Sequence, residues 1–208
     1  MCEPMRTVPT ALRTREGNEA TRIGYPESWQ AVFLRPAPMV WDLGAGNGRF
    51  AVAYAELHPE WNVLAVERKL HRVRQIERAV ELRRIPNLKV LWFGWDDLLL
   101  YGSEPDSCRE IHVLFPDPWP KRRHRNRRSL RTDVLTAILR ALEPGGLFRF
   151  LTDDADYAAA VGREVAHHPR FERREERGGF PTSHFEQIFR NKADRLHGGS
   201  WRKAEGGV

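Results

Sequence analysis

Short apolar runs alternate along the chain with stretches whose apolar residues recur every three or four positions. Met39 to Leu43 is a compact run entering a glycine-rich turn, after which Phe50, Tyr54 and Leu57 recur at helical spacing as far as Pro59. Val63 to Val66 is a second run, ending at Glu67. Leu70, Val73, Ile76 and Val80 then predict a helix that closes before Pro86. Leu88 to Trp92 and Ile111 to Phe115 predict a third and a fourth strand, the latter stopped by Pro116. Val134, Leu135, Ile138, Leu139 and Leu142 mark a strongly amphipathic helix, with Pro144-Gly145-Gly146 as its expected end. Leu147 to Leu151 predicts a fifth strand, and Tyr157, Val161 and Val165 another helix. Beyond Pro169, strands are expected near 171–175 and 184–190. Met1 to about Tyr25 shows no periodicity and reads as a mobile or partner-ordered tail ahead of a single domain over 26–208.

Strands that alternate with helices predict an α/β fold: a mostly parallel sheet, helices on both faces. Apolar runs this short and continuous suit strands buried on both sides. The strand–strand ending adds an antiparallel hairpin at the C-terminal edge.

Composition narrows the class. With 208 residues, 41% apolar and 30% charged, the chain is long and apolar enough to bury a core without disulfide staples. No stretch has the length of a membrane span, and the first residues lack the apolar centre of a secretory leader. Two cysteines, Cys2 and Cys108, fit a reduced, cytoplasmic protein and exclude a cysteine-rich zinc site. The histidines are dispersed, so no metal centre is expected. The pattern favours neither a monomer nor a homodimer.

The net charge is +6, and the segment from Lys121 to Arg128 carries six lysines and arginines with no acid. That run equals the whole excess and points to a polyanionic partner at one place.

Candidate chemistry begins at Asp42-Leu43-Gly44-Ala45-Gly46-Asn47-Gly48, between the first strand and the first helix. Glycines there let the backbone turn sharply and approach a ligand. Glu67 ends the next strand, where an acid can accept from ribose hydroxyls. A dinucleotide site would prefer G-x-G-x-x-G. Counted from Gly44 that pattern fails at Arg49; counted from Gly46 it ends on Ala51, which is tolerated. Asp42 favours a different ligand: a carboxylate repels a pyrophosphate but suits the ammonium and sulfonium of S-adenosylmethionine (SAM). A purely structural turn is the remaining reading. No P-loop pattern occurs.

After the fourth strand, Phe115-Pro116-Asp117-Pro118-Trp119-Pro120 holds three prolines, which stiffen a loop and remove amide donors. In an open α/β sheet, ligands sit beyond the carboxyl ends of the strands, so Asp117 is expected to face the glycine-loop ligand.

The segment FPDPWPKRRHRNRR is similar to the signature of the bacterial tRNA (guanine-N7-)-methyltransferase family. Asp42 to Gly48 resembles its SAM loop, Glu67 its ribose acid, Leu151-Thr152-Asp153 its fifth-strand Thr-Asp, and Ser183-His184-Phe185-Glu186 its Thr-x-Phe-Glu segment. The resemblance covers about 25–201. It implies a Rossmann-like class I SAM-dependent methyltransferase fold and methyl transfer from SAM to N7 of a tRNA guanine, in the variable loop. It implies a cofactor site built from Asp42, Gly44, Gly46, Gly48, Glu67 and Asp117. The adenine-side acid falls on Asp96 in a shifted register and on Gly94 in a gapless one. Asp117 is the implied catalytic carboxylate, and Lys121, Asp153, Ser183 and Glu186 border the base. Thr182 takes the place of Ser183 if the register slips by one. Arg122, Arg123, Arg125, Arg127 and Arg128 are expected on RNA phosphates, and Trp119 either stacks on a base or packs in the core. The competing classes are a SAM-dependent enzyme for another RNA or a small molecule, and a non-catalytic RNA-binding protein that keeps the fold.

Overall fold

A computed structural model describes residues 12–14, 21–23, 29–117, 130–174, 180–183, 187 and 196–205. Its strands are β1 (Leu12–Thr14), β2 (Thr21–Ile23), β3 (Met39–Leu43), β4 (Asn62–Glu67), β5 (Leu88–Trp92), β6 (Cys108–Leu114), β7 (Leu142–Thr152), β8 (Phe171–Arg174) and β9 (His197–Lys203). Its α-helices are α1 (Trp29–Val32), α2 (Arg49–Leu57), α3 (Leu70–Arg83), α4 (Trp95–Asp97), α5 (Thr132–Ala141) and α6 (Ala155–Ala166), and a π-helical turn follows α4. The strands form one sheet in the order β2-β1-β5-β4-β3-β6-β7-β9-β8. Pairs among β5, β4, β3, β6 and β7 are parallel, whereas β7–β9, β9–β8, β1–β2 and β1–β5 are antiparallel.

The expected fold is therefore present, with its antiparallel C-terminal edge. The parallel part of the sheet starts at the centre on β3, winds outward to β5, then crosses to β6 and winds the other way. The carboxyl ends of β3 and β6 thus border a crevice where strand order reverses.

Burial follows periodicity. Every residue of β3 and of β4 is buried, as the continuous apolar runs require. Helix α5 buries Val134, Leu135, Ile138 and Ala141 on one face against the cluster containing Trp41, Ile111, Phe148 and Phe150. Each large apolar side chain so covered contributes about 1.5–3 kcal/mol. Helices α2 and α3 cover the opposite face, where Phe50, Tyr54 and Ile76 meet Val40, Val63 and Ala65.

Four expectations need correction. β6 runs from Cys108 to Leu114 and excludes Phe115. The Pro144-Gly145-Gly146 triplet does not end a helix: α5 stops at Ala141, and the triplet lies within β7. There the partners of β6 jump from Leu142 to Leu147 as those on β6 advance only from Cys108 to Glu110. Gly145, with φ 75°, turns this bulge, which a side chain would disfavour. The last described strand is β9 at 197–203, inserted between β7 and β8; the strand expected near 184–190 lies outside the described residues except at position 187. Gln187, the described residue of 184–190, is helical, its N–H donating to the Ser183 carbonyl. Finally, the expected tail contributes β1 and β2, which add an antiparallel hairpin beside β5 through the Arg13–Trp92 pair.

Cys108 is a buried free thiol whose pKa burial pushes up, so it is unreactive. Among the described residues no helix is long and apolar enough to cross a membrane, and no cluster of histidine, cysteine and carboxylate side chains could hold a metal ion.

Candidate active site

The crevice beyond β3 and β6 has a volume of about 270 Å³ and is lined by Asp42, Gly44, Ala45, Gly46, Asn47, Phe50, Arg72, Leu114, Phe115 and Ser183. The β3–α2 loop forms its floor. Gly44, Gly46 and Gly48 have φ of 82°, 60° and 76°. At Gly48 a Cβ would come within 2.5 Å of Ile76 Cγ1 on α3, so this position demands glycine for space as well as for backbone.

Two carboxylates stand behind the loop. Asp42 is 2% exposed, and among the described residues its Oδ2 has no hydrogen-bond partner. Burial, and then the charge of Glu67, push its pKa up to about 7. Glu67 is also buried but well held: Oε2 accepts from Gly46 N–H at 2.9 Å and Oε1 from Lys69 N–H at 2.8 Å. Arg72 Nη1 lies 3.7 Å from Glu67 Oε2. Glu67 thereby ties the glycine loop to the start of α3.

The opposite wall comes from β6. Phe115 has φ 53°, a strained conformation for a bulky residue, and its N–H donates to the Leu151 carbonyl at 2.7 Å. Such strain, held by surrounding structure, clusters at functional loops. Two residues on, the exposed Asp117 carboxylate accepts from Arg68 Nη2 at 3.2 Å. Because Arg68 follows Glu67 directly, this pair brings the β6 loop beside the end of β4.

A buried polar row runs beneath. Asp42, His112 and Arg149 are register partners across β3, β6 and β7, hence on one face of the sheet. His112 Nε2 lies 3.0 Å from Glu110 Oε2, which also accepts from the Tyr54 hydroxyl at 2.8 Å. Burial works to raise the pKa of Glu110, but the His112 hydrogen bond and charge and the Tyr54 hydrogen bond outweigh it and hold the group low. Phe180 sits edge-on to His112 and under Arg149, whose guanidinium carbon is 4.7 Å from its ring.

Of the residues expected from sequence, the structure brings Asp42, Gly44, Gly46 and Ser183 to the crevice and Gly48 and Glu67 directly behind it. Thr182 instead lines a groove of about 600 Å³ between α2 and α3. Asp153 is exposed just past the carboxyl end of β7. Neither Asp96 nor Gly94 lines the crevice; Trp95 between them approaches Gly44, its Nε1 being 3.5 Å from where a Cβ would stand. Trp119, Lys121, Arg122, Arg123, Arg125, Arg127, Arg128 and Glu186 lie outside the described residues. Sequence reasoning missed Arg68, Arg72 and the His112–Arg149 row. The arginines carried a signal, since they follow Glu67 by one and five positions; buried polar groups inside apolar strands carried none.

The crevice sets a buried carboxylate, Asp42, beside the glycine loop, an arrangement suited to a cationic ligand; Asp117, two residues beyond Phe115, is not among the residues that line it. A family model described as a putative methyltransferase matches residues 36–195. The tRNA (guanine-N(7)-)-methyltransferase of Alkalilimnicola ehrlichii is 30% identical over 195 residues, which cover 91% of this chain and 82% of that protein. The chain belongs to the tRNA (guanine-N7-)-methyltransferase family. The family's counterpart from Arthrobacter sp. is 32% identical over 185 residues, 88% of this chain. The chain spans 58% of that relative's length, and 65% and 56% of those from Rhodococcus jostii and Azorhizobium caulinodans. Among solved structures, a 16S rRNA (adenine(1408)-N(1))-methyltransferase from Catenulisporales acidiphilia with its cosubstrate SAM shares the fold. Its TM-score is 0.57 at 20% identity, over 95% of this chain and all of that one.

Proposed function

We propose that the protein transfers the methyl group of SAM to N7 of a guanine in tRNA, in the variable loop, and so acts in the cytoplasm. The observation that carries this reading is Asp42, a buried carboxylate at the glycine loop with an oxygen that no donor among the described residues meets. A ligand bearing positive charge satisfies it, and SAM carries both an ammonium and a sulfonium group. A pyrophosphate in the same place would be repelled, which disfavours a dinucleotide.

In this reading Asp42 and the loop from Gly44 to Gly48 hold the amino-acid end of SAM. Glu67 keeps its bonds from Gly46 and Lys69 and offers its remaining lone pairs to ribose hydroxyls. The adenine side falls to the segment of Gly94, Trp95 and Asp96, of which Trp95 approaches Gly44. When bound, SAM supplies an electrophilic methyl group, which N7 takes with its in-plane lone pair while the sulfur keeps the electrons of the broken S–C bond. N7 bears no proton, so no general base is needed; catalysis rests on placement and charge. Asp117, two residues beyond the crevice-lining Phe115, opposes the positive charge that grows on the guanine. Lys121, Asp153, Ser183 and Glu186 border the base, and Arg122, Arg123, Arg125, Arg127 and Arg128 take phosphates.

The test is methyl transfer from labelled SAM to unmodified tRNA, followed by nucleoside mass spectrometry. A 7-methylguanosine product is expected. Label in any other nucleoside, or SAM binding without transfer to tRNA, would overturn the assignment of acceptor.

A further inference from the structure

The charge of the chain is not confined to the run at 121–128. From Arg68 to Arg84, across α3, stand seven arginines and lysines against Glu77 and Glu81, a net of +5. With +6 in the run, +5 here and +6 for the whole chain, everything else sums to −5. A second basic element is thus hidden in the total.

Its geometry is one-sided. At 100° per residue, Val73 and Ile76 point into the core and are buried. His71, Arg74 and Arg78, at i, i+3 and i+7, form a stripe on the opposite side, and all three are exposed. The exposed Arg68 and Lys69 extend it past the helix start to Asp117. Arg83, off the stripe, is engaged by Glu56 at 3.0 Å. Among the described residues Arg74 and Arg78 form no ion pair within 4 Å.

Local physics argues against this arrangement as a helix stabiliser. The first turn of α3 holds no acid, although the positive end of the helix dipole favours one, and cations crowd it instead. Arg74 and Arg78 are like charges four apart, which repel. An external polyanion removes both penalties. The stripe begins at Arg68, beside Asp117 on the loop after β6, and runs on for about 15 Å, at 1.5 Å per residue.

We infer that the outer face of α3, through Arg68, Lys69, His71, Arg74 and Arg78, is a docking surface for the ribose-phosphate backbone of the RNA whose base enters the crevice. This rests on the tRNA reading above. It makes α3 a track that fixes the approach of the substrate, separate from the basic run.

The test compares R74E/R78E with R163E/R170E, which alters the same charge at exposed positions associated with α6 on the other side of the sheet. Affinity for unmodified tRNA is measured over a series of salt concentrations, beside SAM affinity and steady-state kinetics. R74E/R78E is expected to bind tRNA at least tenfold more weakly. Its slope of log affinity against log salt should be shallower by roughly 1.5–2, the share of two phosphate contacts. KM for tRNA should rise while kcat and SAM affinity hold. R163E/R170E should bind like the unsubstituted protein, and R74K/R78K should restore most of the affinity. Unchanged tRNA affinity and slope in R74E/R78E, in a protein that methylates tRNA, would overturn the docking surface alone. An equal loss in R163E/R170E would overturn it too, as an effect of net charge. No tRNA binding by the unsubstituted protein would overturn the function reading together with it.

Discussion

Glu67 and Arg68 are neighbours in the chain, yet they open onto two regions that treat charge in opposite ways. Inward lies the crevice, where Asp42 and Glu67 are buried carboxylates and one oxygen of Asp42 has no partner among the described residues. Outward lies the face of α3, where cations stand exposed in water. Burial strengthens an electrostatic preference and ties it to protonation; exposure weakens each contact and ties it to ionic strength. A ligand held at Asp42 should therefore respond to pH and one held on α3 to salt, although a single turn of chain joins the two regions.

Salt should separate the two regions most. Raising it from 50 to 200 mM should lower tRNA affinity about 10³-fold if six or more phosphates are contacted, and change SAM affinity by less than twofold. Parallel titrations by filter binding and calorimetry check this, and an equal response of both ligands would erase the distinction.

Asp117 lies where the regions meet. Asp117→Ala should reduce kcat by roughly 10²–10³-fold, the usual cost of losing one transition-state electrostatic partner. SAM affinity should stay near that of the unsubstituted protein. Near-normal single-turnover rates would remove Asp117 from the chemistry.

Gly48→Ala tests the join between loop and α3. Its Cβ would meet Ile76 at 2.5 Å on a backbone with φ 76°. Overpacking and left-handed strain together should cost about 2–4 kcal/mol, read as a lower denaturant midpoint. A midpoint unchanged by the substitution would show that α2 and α3 yield freely.

The smallest effect is the pH response of Asp42. Folded, it holds its proton to about pH 7, against an ordinary value of 3.8. The folded state therefore binds more protons between those limits, and stability falls as pH rises through the window and levels above 7. A cationic ligand favours the ionised form, so SAM affinity should rise up to tenfold per pH unit until about pH 7 and then flatten. Asp42→Asn should flatten the profile and bind about tenfold more weakly at pH 8. A slope surviving in that variant would move the titration to another group.

Most central strands were legible because each is a short apolar run between turn residues. β9 was not. His197-Gly198-Gly199-Ser200-Trp201-Arg202-Lys203 has two glycines and three charged or titratable side chains, the composition of a loop. It is a strand because β7 and β8 flank it, and Gly198 is required there since any Cβ would collide with the Phe150 carbonyl. The Pro144–Gly146 triplet misled for a related reason: glycine in a left-handed conformation serves a bulge as well as a helix end, and only the register with β6 distinguishes them. At the site, the glycine loop, Asp42 and Glu67 were readable because a fixed spacing on one strand–helix–strand unit, β3–α2–β4, sets their geometry. Arg72, His112 and Arg149 come from other elements and met only on folding.

By itself the sequence determined the alternation of strands and helices, the family resemblance, and the residue types offered at the carboxyl ends of the central strands. These depend on local periodicity and short spacings, which the chain carries wherever it is placed. The tertiary structure alone decided that Ser183 rather than Thr182 lines the crevice, that Asp117 meets Arg68, and that the basic side of α3 faces outward. Each depends on which surfaces are buried against one another, and burial is a property of the packed sheet and helices rather than of any segment.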